Sequence, residues 1–188
     1  MTEQEAGIEE RTSLAYAAHK NFVDAMWPRF GLAAHPGYCL VKILPMFSLG
    51  GFFYDPQETV ILNDSLLTPR AIKNETYHET AHFLDSYIRN VYLSGVELTL
   101  EDRLLHETIA NLATMIYLDI SEGRDAAKAL PSYNGKPTYS SLLALDIFEG
   151  NKDVLSELAH IGMGKAVKII SPYLRRPLDT EKSPYEQD

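Results

Sequence analysis

His78-Glu79-Thr80-Ala81-His82 constrains the fold of this chain more than any other stretch. On a helix, side chains four apart stand one turn above each other. His78 and His82 can therefore aim two imidazoles at one point if this stretch is helical. Glu79 is then turned by about 100° from His78, beside that point rather than on it. Two imidazoles with a neighbouring carboxylate suit a metal ion and a general base for a water beside it. Such a helix needs its back in a core and its histidine face toward a cleft.

The flanking residues predict that arrangement. Thr68-Pro69 opens the helix, with Thr68 as N-cap and Pro69 at the first helical position. Tyr77, Ala81, Leu84, Ile88 and Val91 then recur as an apolar seam adjacent to the histidine face. Upstream, residues 3–26 read as a helix with Leu14, Ala17, Ala18, Phe22, Ala25 and Met26 in phase. Trp27-Pro28 ends it, because proline pushes its predecessor out of the α region. His19 and His35 have no partner at ligand spacing and read as structural or exposed. Residues 38–46 form an apolar strand, with Pro45 near an edge or bulge. Residues 50–54 and 59–63 form a β-hairpin with proline in the turn at 55–58. Gly50 and Gly51 mark either a close approach by another group or a bulge. Cys39, beside Leu40 and Val41, reads as a buried strand residue. As the single cysteine of 188 residues it excludes an internal disulfide and a Cys-rich metal site.

Downstream, residues 90–98 connect to a second long helix. Thr99-Leu100-Glu101-Asp102 is a capping box, and residues 103–118 continue as the helix. Residues 124–130 are expected to form a short helix and 131–137 a loop. Residues 139–148 and 152–160 read as helices, the latter capped by Asn151. Gly162 and Gly164 interrupt the pattern before residues 166–170, and the charged tail at 176–188 is expected to be mobile. The fold class is α+β. A short mixed or antiparallel sheet carries an edge strand packed on the motif helix, and a mainly helical C-terminal part follows, in a single domain over residues 1–175.

Two histidines do not complete a catalytic zinc site, which takes three protein ligands plus water. Candidates for the third are His106, Glu107, Glu101 and Asp102. The helix start accounts for Glu101 and Asp102. His106 and Glu107 point about 100° apart, so one at most faces the metal. Glu107 shares a stripe with the small or polar residues Ala110, Asn111 and Thr114, whereas the stripe of His106 reads as more exposed.

With Glu107-Thr108-Ile109-Ala110 following the first array, the chain resembles the gluzincin metallopeptidases, and most closely the small, single-domain minigluzincin type. It also resembles the ImmA/IrrE family, through Glu107, Ala110, Asn111 and Ala113, although that family's Leu-x-Met-Pro ending is absent after Tyr117. The resemblance spans about residues 50–118 and implies a zincin-like domain with Zn2+ held by His78, His82 and Glu107. It implies that Glu79 takes a proton from a zinc-polarised water and passes it to the leaving amine. It implies an edge strand at residues 50–63 to which substrate adds as a further strand. Asn111 is placed to hold His78, and Asp85 is a second candidate for such support. Tyr133, Tyr139, His160 and Tyr173 are candidates for stabilising the oxyanion. A latent form is also implied, in which a tail carboxylate (Asp179, Glu181, Glu186 or Asp188) masks the metal. Two alternatives belong to the same resemblance: a regulatory protease with one dedicated protein substrate, and a catalytically silent zinc-binding protein.

Charge narrows the partners. The net charge is -9, with a sequence pI of about 5.1, and no basic stripe offsets it. That argues against nucleic acid as a partner and leaves a peptide or protein substrate. The first ten residues lack the basic and apolar regions of a secretion signal, and no apolar run reaches membrane-spanning length. The expected location is cytoplasmic, with no membrane association.

Overall fold

The computed structural model describes residues 3–46, 50–54, 58–89, 100–132 and 137–160. Their fold class is α+β, combining helices with a small three-stranded mixed sheet. The chain falls into two compact units, Met1–Glu97 and Leu98–Asp188.

The first unit begins with α1, Glu3–Met26. Its buried residues are Ala15, Ala18, His19, Phe22, Val23 and Met26. The buried stripe is thus turned by one residue from the expected one, with Ala17 exposed and Leu14 and Ala25 half-buried. Alanine fits either side of such a boundary, and in the sequence His19 reads as structural or exposed. The real stripe includes it. Past the helix, Phe30 is fully buried, and Gly31 turns the chain with φ 75°, a conformation open to glycine.

Strand β1 is Leu40–Leu44, β2 is Gly51–Tyr54 and β3 is Thr59–Asn63. The order is β1-β3-β2. β2 and β3 pair antiparallel, with Phe53 opposite Val60, as the hairpin predicts. β1 lies parallel to β3, with Val41 beside Val60 and Ile43 beside Leu62. Those four residues are buried, whereas Leu40 and Leu44 on the other face are exposed. Alternation along β1 therefore separates a core face from an outer face.

Helix α2, Pro69–Arg89, carries the motif. Thr68 caps it, its Oγ1 accepting the Ala71 N–H at 3.1 Å. Arg11 of α1 ties down the approach to this helix, donating to the carbonyls of Asp64 at 2.6 Å and Leu66 at 3.2 Å. Ile72, Tyr77, Ala81 and Leu84 are buried, and Ile88 is half-buried. Tyr77 stacks on Phe22 at 5.7 Å between centroids, and Phe83 meets Phe53 of β2 edge-on at 5.6 Å. α2 is thereby packed on α1 from one side and on the sheet from another.

The second unit is built on α3, Leu100–Ser121. Every residue from Thr108 to Leu118 except Asn111 is buried, a wider apolar arc than a surface helix presents. α5, Tyr139–Asn151, packs along α3, with α4, Arg124–Ala129, and α6, Leu155–Ala159, also against it. Thr138 caps α5, its Oγ1 accepting the Ser141 N–H at 3.2 Å. α5 runs through Asn151, so that residue does not cap the next helix as expected. A 3-10 turn at Lys152–Val154 comes first, and Val154 stands at the N-cap of α6 without a side-chain hydrogen bond. Val91, residues 90–98, Thr99, residues 161–170 and the tail at 176–188 lie outside the described residues. Among the described residues, no helix is long and apolar enough to cross a membrane.

Candidate metal centre

His78 and His82 occupy successive turns of α2, half-buried, with Glu79 buried beside them. Their Nε2 atoms lie 3.3 Å apart, and the rings stand nearly perpendicular, at 86° with centroids 4.9 Å apart. Two nitrogens bound tetrahedrally at about 2.0–2.1 Å from one zinc are separated by about 3.3–3.4 Å. In the absence of an ion the same 3.3 Å is within hydrogen-bonding distance for the two ring nitrogens. The two imidazoles thus already hold the separation that a shared ion requires.

One ligand atom each from His78, His82 and Glu107 lies within 4.8 Å of the other two, so these three side chains can hold a metal ion. Two imidazoles and one carboxylate form a donor set suited to a borderline-soft divalent ion. All three side chains are half-buried.

Of the other third-ligand candidates, His106 is buried, not exposed as its stripe suggested, and Asp102 is buried with it. Near-complete envelopment of α3 over this stretch is the reason, and neither joins a metal-holding group among the described residues. The side chain of Glu101 lies outside the described residues. Asn111 is half-buried on α3. Its Nδ2 donates to the Glu107 carbonyl at 2.7 Å, one turn back along its own helix. Asp85 is buried on α2.

Among the oxyanion candidates, Tyr133 and Tyr173 lie outside the described residues. His160 is exposed and its Nδ1 bonds the Ser156 carbonyl at 2.7 Å. The Tyr139 hydroxyl is buried without a hydrogen-bond partner among the described residues, and burial raises its pKa.

His19 is the residue that spacing alone undervalued. Its Nε2 accepts the Cys39 N–H at 3.1 Å. Its Nδ1 lies 3.0 Å from Thr80 Oγ1, and Thr80 donates its own hydroxyl proton to the Thr76 carbonyl at 2.6 Å. An acceptor Nε2 and a donor Nδ1–H specify one neutral tautomer. Burial lowers the His19 pKa to about 4, with Asp24 pulling weakly the other way. His19 therefore ties α1 to the start of β1 and to the back of the motif turn. The available signal was phase, since residue 19 falls in step with Ala15, Phe22 and Met26. Burial also pushes the neighbouring Cys39 thiol up to about 12, which leaves it protonated and unreactive at neutral pH. His35 makes an exposed 3.0 Å contact with Asp24, in keeping with its expected exposure.

Comparison of the chain with protein-family models, with curated proteins and with solved structures finds no match.

Proposed function

We propose that this chain is a zinc metallopeptidase of the gluzincin type, acting on a peptide or protein substrate. The observation that carries the reading is the 3.3 Å convergence of the His78 and His82 Nε2 atoms with Glu107 in reach. His78, His82 and Glu107 would hold the metal. Zinc bound there supplies a Lewis acid that polarises a peptide carbonyl and acidifies a water. Glu79, next in sequence to a ligand and buried, takes a proton from the attacking water and delivers it to the leaving amine nitrogen. Its burial keeps bulk water from competing for the carboxylate oxygens. A structural zinc site needs no such base, so Glu79 favours catalysis over a silent metal-binding scaffold. β2, an outer strand of the three, offers backbone groups to an extended peptide.

Zinc stoichiometry by elemental analysis comes first, on the parent protein and on Glu107→Ala. One equivalent in the parent and a clear loss in the variant is the expected result. Glu79→Gln should then keep its zinc and lose at least about a hundredfold in peptide hydrolysis. A parent that takes up no zinc at neutral pH after metal is added would overturn the proposal.

A further inference from the structure

Glu75 precedes His78 by three residues and His82 by seven on α2. At about 100° per residue, seven residues return to within about 20° of the same direction. Glu75 therefore shares the face of His82. At about 1.5 Å of rise per residue, it stands about 7–8 Å along the axis from the midpoint of the two histidines.

Its side chain reaches β2. A Cβ at Gly50 would collide with the Glu75 carboxylate, and one at Gly51 would stand 3.1 Å from Glu75 Cγ. Neither glycine has a positive φ, unlike Gly31, Gly37 and Gly123. Occupied space, not backbone conformation, is thus what glycine accommodates at these two positions. Further along the same pair of elements, Phe83 meets Phe53. β2 consequently runs beside the ligand stripe, with the Glu75 carboxylate lying where the strand begins.

We propose that Glu75 recognises a cationic side chain or terminal amine of the peptide substrate, about two residues from the scissile bond at about 3.3 Å per residue. This rests on the peptidase reading above. Glu75 is half-buried and already held by a neighbour, and a carboxylate's roughly four acceptor positions leave room for another donor. An ammonium or guanidinium group is the partner that best matches a partly desolvated carboxylate. The net charge of -9 favours the approach of such a ligand.

The test uses the zinc-loaded full chain carrying Glu79→Gln, so that bound peptide is not consumed. Fluorescein-labelled peptides identical except for Lys, Gln or Glu at one scanned position are titrated and followed by anisotropy. At one position the Lys peptide should bind at least tenfold more tightly than the Gln peptide. Adding Glu75→Gln should abolish that preference while leaving the affinity of the Gln peptide within threefold. Gly50→Ala, which displaces the carboxylate without removing it, should reduce the preference too. Equal weakening of all peptides by Glu75→Gln would make Glu75 a prop for β2 and overturn the inference. So would the absence of any position favouring Lys, including the case where no peptide binds. Hydrolysis of the same peptides by the parent is read separately. Selective binding without cleavage would sink the peptidase reading and leave the subsite, whereas cleavage without charge preference would do the reverse.

Discussion

α2 meets histidine on two nearly opposite faces. At its back, His19 is fully buried and both ring nitrogens have fixed partners, Thr80 Oγ1 and the Cys39 N–H. At its front, His78 and His82 are half-buried and bring their Nε2 atoms to 3.3 Å. The same side chain thus serves as a neutral crosslink in one place and stands in a pair able to hold a metal ion in the other. The difference lies in what the imidazole faces. A single acceptor and a single donor on opposite sides of the ring lock a tautomer, whereas convergent nitrogens at tetrahedral spacing suit a cation. Thr80 sits in the same motif as the pair, so the crosslink acts on the turn that carries His78 and His82.

The largest contrast should appear in zinc affinity. His82→Ala should weaken zinc binding by more than the roughly 10–100-fold typical of losing an outer partner. His19→Ala should leave the stoichiometry at one. Competition against a chromophoric chelator measures both, and loss of zinc in His19→Ala alone would erase the distinction. Stability should show the reverse order. His19→Ala opens a cavity and strands the Cys39 N–H, costing about 3 kcal/mol. His82→Ala, at a half-buried site, should cost about 1 kcal/mol or less in the metal-free protein. Urea denaturation of both variants in the presence of chelator decides this.

Acidity sharpens the comparison further. His19 has a folded pKa of about 4 against 6.5 for the ordinary group. Between those values the unfolded chain binds the extra proton. The contribution of His19 is therefore complete above pH 6.5 and disappears as pH falls through about 4, amounting to about 3 kcal/mol in all. His19→Gln, which keeps a donor and an acceptor, should show a shallower loss of stability across that window than the parent. Identical slopes would mean that His19 takes up its proton without unfolding the site. The smallest effect is expected from Thr80→Val, which removes the acceptor for His19 Nδ1–H at nearly constant volume. About 1–2 kcal/mol of stability should go, with zinc affinity changed by less than tenfold.

Much of the architecture was readable from local chemistry. The span of α1, the β2–β3 hairpin, the Thr68 cap and the buried residues Tyr77, Ala81 and Leu84 follow from caps, turns and periodicity, which depend on neighbours a few residues away. The misreadings concern residues whose surroundings come from distant chain. Asn151 has cap chemistry, yet α5 runs through it. His106 is polar in sequence and buried in the fold, because elements more than twenty residues away close around α3.

The sequence by itself determined that His78 and His82 share a helix face and that Glu79 stands beside them, since helical geometry fixes side chains four apart. It also placed a glycine pair at the start of an outer strand. Tertiary structure decided what those residues meet. It set β1 parallel beside β3, laid the Glu75 carboxylate over Gly50 and turned His19 into the core. Each of these joins residues far apart in the chain, and pairings of that kind leave no periodic trace in the order of the amino acids.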